Sequence, residues 1–426
     1  MRRGRGFLAL SPLLVFLGVY LVSSFIAKDF YKVPVVSAFL IASVYALLIT
    51  KGGIEDRVAT FSRGAGNRNV LLMIWIFVLA GVFASTAKEI GSIDATVDIT
   101  LRFLPGRFIL VGLFVASCFI SMAIGTSVGT VVALVPIASG LATGVGAPLA
   151  LVVGAIVGGA FFGDNLSFIS DTTIAATRSQ GCSMTDKFRT NIWIAGPAAI
   201  IVALLYVFLG EGFHAEIPSS SENLLLLLPY LSVIVLALCG MNVLAVLCIG
   251  IALNAILGLS LGSFGWIGFL ESAGRGIGSM GDLIIVTMFA GGMLEVIRVN
   301  GGIDYIINIL TRRISGRRGA EMTIASLVAL ANICTANNTI AIITTGGISK
   351  NIADHFGVDP RKAASILDTF SCIIQGILPY GAQILMASGL AGISGLAIIG
   401  SLYYPLVLLF IALLSIWLQF PRSTRT

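Results

Sequence analysis

The stretch Gly158-Gly-Ala-Phe-Phe-Gly-Asp-Asn-Leu-Ser-Phe-Ile-Ser-Asp-Thr-Thr173 decides how the chain is read. It crowds Asp164, Asn165, Ser167, Ser170, Asp171, Thr172 and Thr173 against long apolar sequence. As a helix it would put Asp164, Ser167 and Asp171 on one face, at i, i+3 and i+7. Its three glycines and its density of Ser, Thr, Asn and Asp favour an unwound stretch instead, because those side chains compete for backbone hydrogen bonds. Unwound backbone at membrane depth survives only where it lines a cavity or is covered by protein. There its freed carbonyls, with carboxylate and hydroxyl oxygens, are the hard ligands that a small cation such as sodium prefers. A carboxylate at the bilayer centre costs roughly 2.5–3.5 kcal/mol on insertion scales, so Asp164 and Asp171 are read as functional and as candidate sodium ligands. The competing reading of Asp164 is structural: a partner for a buried cation, or a cap on a half-helix.

The composition supports membrane depth. Of 426 residues, 57% are hydrophobic and 11% charged, and the mean hydropathy is +1.01. Soluble domains carry about a quarter charged residues. Apolar runs of about 20 residues recur, long enough to cross a bilayer as helices. The class is therefore an all-α polytopic membrane protein. The net charge of +6 resides mostly in short loops, which orients spans and does not point to nucleic acid. Six cysteines without a CxxC pair read as small core residues, and two histidines leave a metalloenzyme almost without ligands. No nucleophile–base pair is visible at membrane depth, so an enzyme is not expected. Basic residues at 1–5 precede the apolar run Phe7–Ile26, which is too long for a signal peptide and reads as a first span with a cytoplasmic N-terminus.

The chain also resembles itself. Leu79-Ala-Gly-Val-Phe-Ala-Ser-Thr-Ala-Lys-Glu-Ile-Gly-Ser-Ile-Asp94 matches Phe289-Ala-Gly-Gly-Met-Leu-Glu-Val-Ile-Arg-Val-Asn-Gly-Gly-Ile-Asp304 at an offset of 210. Thr126–Thr130 lies against Thr335–Thr339, and Leu166-Ser-Phe against Leu378-Pro-Tyr at an offset of 212. Two repeats are expected, 1–215 and 216–426. In the first, spans fall at 7–27, 33–50, 70–88, from 147 with a break near 163–172, and 190–210. The second repeats them at 223–240, 242–261, 282–298, 360–389 and 393–418. The Gly-interrupted segments 107–143 and 318–352 read as re-entrant hairpins or as two spans each. Hairpins give ten spans with both termini inside. The cytoplasmic loops then carry Lys51, Arg57, Arg63 and Arg68; Arg178, Lys187 and Arg189; and Arg312, Arg313, Arg317 and Arg318. The outer loop carries Glu211, Glu216 and Glu222. Five spans per half is odd, so the repeats are expected to be inverted, the usual secondary-transporter architecture. Twelve spans would leave these charges on the same sides; the polar segment tips favour hairpins.

Other candidates follow from position. Leu367-Asp-Thr-Phe-Ser-Cys-Ile-Ile-Gln-Gly-Ile-Leu-Pro-Tyr-Gly-Ala-Gln383 is the second-half counterpart of the opening stretch, with Pro379 supplying the break. Asp171 aligns with Gln383, so the halves differ chemically. Gln375 joins the candidate site. Asp368 is either a second proton carrier or a solvated carboxylate near the cytoplasmic face. The tips offer Ser127 and Thr130 in one half, and Asn337, Asn338 and Thr339 in the other. Small polar residues at a helix break direct helix N-termini and carbonyls at a solute. Glu295 and Arg298, one turn apart, read as a helix-surface pair.

At Gly163-Asp-Asn-Leu-Ser-Phe-Ile-Ser-Asp-Thr-Thr173 and Gln375-Gly-Ile-Leu-Pro-Tyr-Gly-Ala-Gln383 the chain resembles the NhaC family. Its Ser/Thr/Asn tips are similar to those of the wider ion-transporter superfamily. Many relatives carry Pro where this chain has Phe168. The resemblance covers nearly the whole chain and implies inverted repeats with two hairpins and two broken spans. It implies sodium/proton exchange, with sodium and proton as coupling ions and no cofactor, in a bacterial inner membrane. Some members instead move an amino acid or organic acid. Asp164 would then bind cation and proton in competition, since a desolvated carboxylate favours its neutral form until a cation arrives. A small organic substrate and a homodimer stay open as partners.

Overall fold

The computed structural model describes residues 3–27, 34–168, 170–214, 223–239, 241–311 and 314–421. Among them every regular element is a helix. The first half runs α1 (Arg3–Ala27), α2 (Val35–Ile49), α3 (Ile54–Ala65), α4 (Arg68–Glu89), α5 (Ser92–Phe103), α6 (Ile109–Ile124), α7 (Ser127–Val145), α8 (Leu149–Leu166), α9 (Asp171–Gln180) and α10 (Met184–Leu209). The second runs α11 (Leu228–Leu238), α12 (Val243–Leu261), α13 (Trp266–Ser279), α14 (Gly281–Val299), α15 (Gly302–Leu310), α16 (Gly316–Thr335), α17 (Asn338–Phe356), α18 (Pro360–Ile377), α19 (Ala382–Ala391), α20 (Gly395–Gly400) and α21 (Tyr403–Leu418). Seven of the described helices are long and apolar enough to cross a bilayer, and α13 with α14, bent by 41°, makes an eighth. Shorter apolar helices lie within α1, α2, α11 and α21.

Lipid explains the surface. Leu40, Val44 and Leu48 on α2, Ile200, Leu204 and Phe208 on α10, and Phe410 and Trp417 on α21 are all exposed. A water-soluble monomer rarely shows apolar faces that continuous. At the centre the pattern reverses: α8 and α18 are buried along almost their whole length.

Helix ends recur between the halves. Left-handed residues at Gly52, Gly91, Gly146 and Gly181 have counterparts at Gly262, Gly301, Gly357 and Gly392, and Gly125 has Ala336. Packing partners are exchanged as well. α3 lies on α14 while α13 lies on α4, and α2 packs on α14 as α12 packs on α4. Both crossings are glycine-on-glycine: Gly64 meets the Gly291 carbonyl, and Gly276 meets that of Gly81. Likewise α7 meets α19, and α17 meets α9. α3 and α13 are amphipathic helices where the sequence reading had loops.

Three expectations change. The backbone of the opening stretch stays helical through Leu166 and leaves helix only between α8 and α9. Its glycines serve packing, since a Cβ at Gly159 would collide with the Phe114 carbonyl and one at Gly163 with Ser121. Small residues of this kind let membrane helices approach closely. Lys187, counted as a loop charge, is fully buried, and so is Asp368, which is not solvated. The register is constant across these central elements: α7/α17, α8/α18 and α9/α19 all start 211 residues apart. Ser127 therefore corresponds to Asn338, Asp164 to Gln375 and Thr172 to Gln383; the sequence offsets of 209 and 212 were each slightly displaced. The terminal Met1 and Arg2 and the loop charges Arg312, Arg313, Glu216 and Glu222 lie outside the described residues.

Candidate functional site

Four interruptions meet at one place. They are the α8–α9 break, the α18–α19 break, the α6–α7 tip and the α16–α17 tip. Between them lies a cavity of ≈ 160 Å³ whose wall includes Asp164, Asp171, Ser127, Asn338, Gln375 and Gln383. Thr172, Asn337 and Thr339 line it too. The first turns of α7, α9, α17 and α19 all border this space.

Each tip is held the same way. Gly125 and Ala336 end their helices in the left-handed conformation, and the chain turns directly into α7 or α17. Ser121 Oγ donates to the Ala160 carbonyl at 2.7 Å, and Asn332 Nδ2 donates to the Ser371 carbonyl at 2.6 Å. These are equivalent anchors, 211 residues apart, tying each tip to its broken helix.

Asp164 is the acceptor at the α7 N-terminus. The Ser127 amide donates to Oδ1 at 3.0 Å and the Ser127 hydroxyl to Oδ2 at 2.5 Å. First-turn N–H groups have no partner within their own helix, and the dipole there favours a negative charge. Asp164 therefore does cap a half-helix, the structural role weighed in the sequence, and it also faces the cavity with its remaining lone pairs. From Ser127 a chain of amides crosses to the other half. Gln383 Nε2 donates to Ser127 Oγ at 2.8 Å; Gln375 Nε2 donates to Gln383 Oε1 at 3.1 Å and to the Ala336 carbonyl at 3.0 Å. Gln375 Oε1 has no partner and is buried.

The remaining candidates sit off the cavity. Thr130 bonds back to the Thr126 carbonyl at 3.2 Å, within its own helix. Ser167 Oγ donates to the Met122 carbonyl at 3.0 Å, bracing the break. The Asn165 side chain turns toward Tyr404, 3.2 Å away. Asp368 stands behind the wall in an ion pair with Lys187, at 2.6 Å and with both side chains wholly buried. Asn191 joins them: it donates to the Asn165 carbonyl at 2.7 Å and accepts from Ser365 and Thr369 at 2.7 and 2.9 Å. Lys187 and Asn191 escaped the sequence reading. Both precede or open an apolar span, and the partners they take from α18 lie more than 170 residues away. Phe168, in the break, stacks on Phe188 at 4.5 Å between ring centroids.

A second cavity of ≈ 380 Å³ adjoins the first, sharing Asn69, Met73, Asn337 and Ala382 as lining residues. Arg63 and the Glu295–Arg298 pair, bonded at 2.6 Å, stand in its wall. A third hollow, of ≈ 1460 Å³, is bounded by Lys88, Glu89, Asp94, Asp98 and Arg275 and shares no lining residue with the central cavity. No group of three His, Cys, Asp or Glu side chains suited to a metal ion occurs among the described residues.

The profile of the Na+/H+ antiporter family matches residues 7–211 and 224–420, almost the entire chain. The chain belongs to the Na+/H+ antiporter family. Its relatives include a malate-2H(+)/Na(+)-lactate antiporter from Bacillus subtilis, 25% identical over 90% of this chain and 89% of that protein. The Na(+)/H(+) antiporter NhaC of Alkalihalophilus pseudofirmus is 22% identical over 86% of each. A solved structure, the YdaH transporter of Alcanivorax borkumensis, aligns at 13% identity over 96% of this chain and 98% of that one, with a TM-score of 0.43. The antiporter family consists of transporters, and the apolar helices of this member are those of a multi-pass membrane protein.

Proposed function

We propose that this antiporter exchanges sodium for protons at the cavity where the four interruptions meet, with Asp164 holding either ion in turn. The observation that carries the assignment is the Asp164 carboxylate itself: buried, on the cavity wall, and bonded to a helix N-terminus with lone pairs to spare. Asp171 and the Thr172 hydroxyl complete an oxygen-rich wall suited to a small hard cation. Sodium and a proton compete because one carboxylate cannot satisfy both. Exchange is assigned to Asp164 and Asp171, and Asp368 is left out of the ion-binding set.

The two halves, 1–215 and 216–426, insert in opposite directions in this reading, with α6–α7 and α16–α17 as re-entrant hairpins. The exchanged packing of α3 and α13, and the equivalent tip anchors, support it. The cavity of ≈ 380 Å³ beside Arg63 then opens toward the cytoplasm, the side that the basic residues Arg57, Arg63 and Arg68 indicate. Both termini lie on that side of a bacterial inner membrane.

A second reading keeps the fold and adds an organic acid as cargo. It is favoured by helix N-termini bordering the cavity, which suit an anion, and by the relative named for malate and lactate. Asn337 and Asn338 would hold the organic group. The test is sodium-driven pH change in everted vesicles. Asp164→Asn is expected to abolish it; full exchange in that variant would remove Asp164 from the mechanism. Uptake of labelled malate or lactate by proteoliposomes, absent a sodium-driven proton flux, would favour the second reading instead.

A further inference from the structure

Lys187 stands in the first turn of α10, and its side chain is completely shielded. Its three ammonium donors are all taken: Asp368 Oδ2 at 2.6 Å, the Asn165 carbonyl at 2.6 Å and Thr173 Oγ1 at 2.8 Å. Two of these acceptors flank the α8–α9 break, Asn165 at the end of α8 and Thr173 at the start of α9. The last carbonyls of a helix have no partner within it, and when buried they need one from elsewhere. At the end of α8 the Asn165 carbonyl receives Lys187 and Asn191. The Asp164 carbonyl receives Ser170 Oγ at 3.0 Å and Thr173 Oγ1 at 3.5 Å. The Thr173 hydroxyl thus stands between the ammonium and the backbone of Asp164. A cation at this place also complements the negative end of the α8 dipole. Neither Lys187 nor Asp368 lines the cavity, so neither is placed among the ligands.

We propose that Lys187 is a positioning residue for the cation site: through Thr173 and the Asn165 carbonyl it fixes the backbone that carries Asp164. Asp368 is the counter-charge that lets the lysine reside there, and it ties α18 to the same point. This rests on the reading that Asp164 holds the cation.

The test uses the full chain in proteoliposomes, with sodium-driven proton flux measured over a range of sodium concentrations. Thr173→Val keeps the shape and both charges while cutting the hydroxyl link between Lys187 and the Asp164 carbonyl. It is expected to raise the apparent KM for sodium about fivefold or more and to leave the maximal rate within about twofold. The double variant Lys187→Met/Asp368→Asn removes the pair without stranding a buried charge, and a larger rise in the same direction is expected. A merely structural role would lower yield or thermal stability and leave the sodium KM where it was. A folded Thr173→Val protein with wild-type KM overturns the proposal, and it decides the matter alone if the double variant does not fold. Wild-type protein without sodium-driven flux overturns the exchange reading and this proposal with it. Wild-type flux alongside unchanged variants overturns this proposal only.

Discussion

Gly276 and Gly278 lie two residues apart on α13, and replacing each with alanine is expected to have opposite consequences. A Cβ at 276 would lie 2.6 Å from the Gly81 carbonyl carbon, closer still to its oxygen, and 2.9 Å from Val82 Cα. All three are backbone atoms, which cannot rotate away. To restore ordinary contact, α13 and α4 would have to separate by about 1 Å, and an inserted methyl in a packed interface costs about 1–3 kcal/mol. At 278 nothing lies within 4 Å. Both substitutions gain up to about 1 kcal/mol of helix propensity, so the difference between them isolates the crossing. Gly276→Ala is therefore expected to fall below Gly278→Ala by roughly 1–3 kcal/mol. The assay is the thermal midpoint of the detergent-solubilised protein, followed by fluorescence size-exclusion. The exchanged packing adds a second requirement. Gly64→Ala, at the equivalent crossing with Gly291, should be destabilised comparably. A Gly276→Ala protein as stable as Gly278→Ala would refute the close backbone approach from which the crossing was argued.

Other expectations concern the site and its supports. Ser127→Ala removes the hydroxyl donor to Asp164 and should weaken sodium dependence without abolishing exchange, read as a raised sodium KM in everted vesicles. Lowering pH should raise the apparent sodium KM while the rate at saturating sodium holds, as competition at one carboxylate requires; a pH-independent KM would argue for separate ion sites. Lys362, buried against Ser415 and the Phe420 carbonyl, pins the end of α21. Lys362→Met should cost about 1–3 kcal/mol of stability, measured as a lower thermal midpoint, with the sodium KM unchanged.

Much of this arrangement is legible in one sequence because membrane burial makes polar residues conspicuous. Asp164 and Asn338 stand out against apolar surroundings, and Gly91/Gly301 and Asp94/Asp304 recur at one offset. What could not be read is whatever depends on a distant partner. Lys187 sits in Met184-Thr-Asp-Lys-Phe-Arg-Thr190, which has the composition of a loop; its counter-charge, Asp368, is brought across from α18. α3 was hidden for another reason: Ile54-Glu-Asp-Arg-Val-Ala-Thr-Phe-Ser-Arg-Gly-Ala65 is too polar and too short for a span, and its helix is fixed by packing on α14. The glycines before Asp164 misled because glycine serves both unwinding and close packing. Ser121 and Phe114, which choose between those roles, lie on another helix.

The register of 211 across α7–α9 and α17–α19 gives the two halves different chemical groups at equivalent points. Asp164 and Gln375 occupy equivalent positions, as do Ser127 and Asn338, and Thr172 and Gln383. In the first half a carboxylate answers the N-terminus of α7; in the second an amide stands where that carboxylate would be. The Gln375 amide reaches one methylene further than the Asp164 carboxylate and gains no proton, so the second half adds no titrating group at the equivalent point. Its side chains instead form the hydrogen-bond chain Gln375–Gln383–Ser127–Asp164 that joins the halves. Under the exchange reading, a change at Asp164 on cation arrival would pass to both tips through neutral bonds. Replacing Gln383 with Ala breaks that chain two bonds from the carboxylate and leaves every charge in place. Under the exchange reading this should slow turnover more than it weakens sodium binding. Should Gln383→Ala exchange at the wild-type maximal rate, the chain would be a scaffold alone, and the halves would communicate by some other contact.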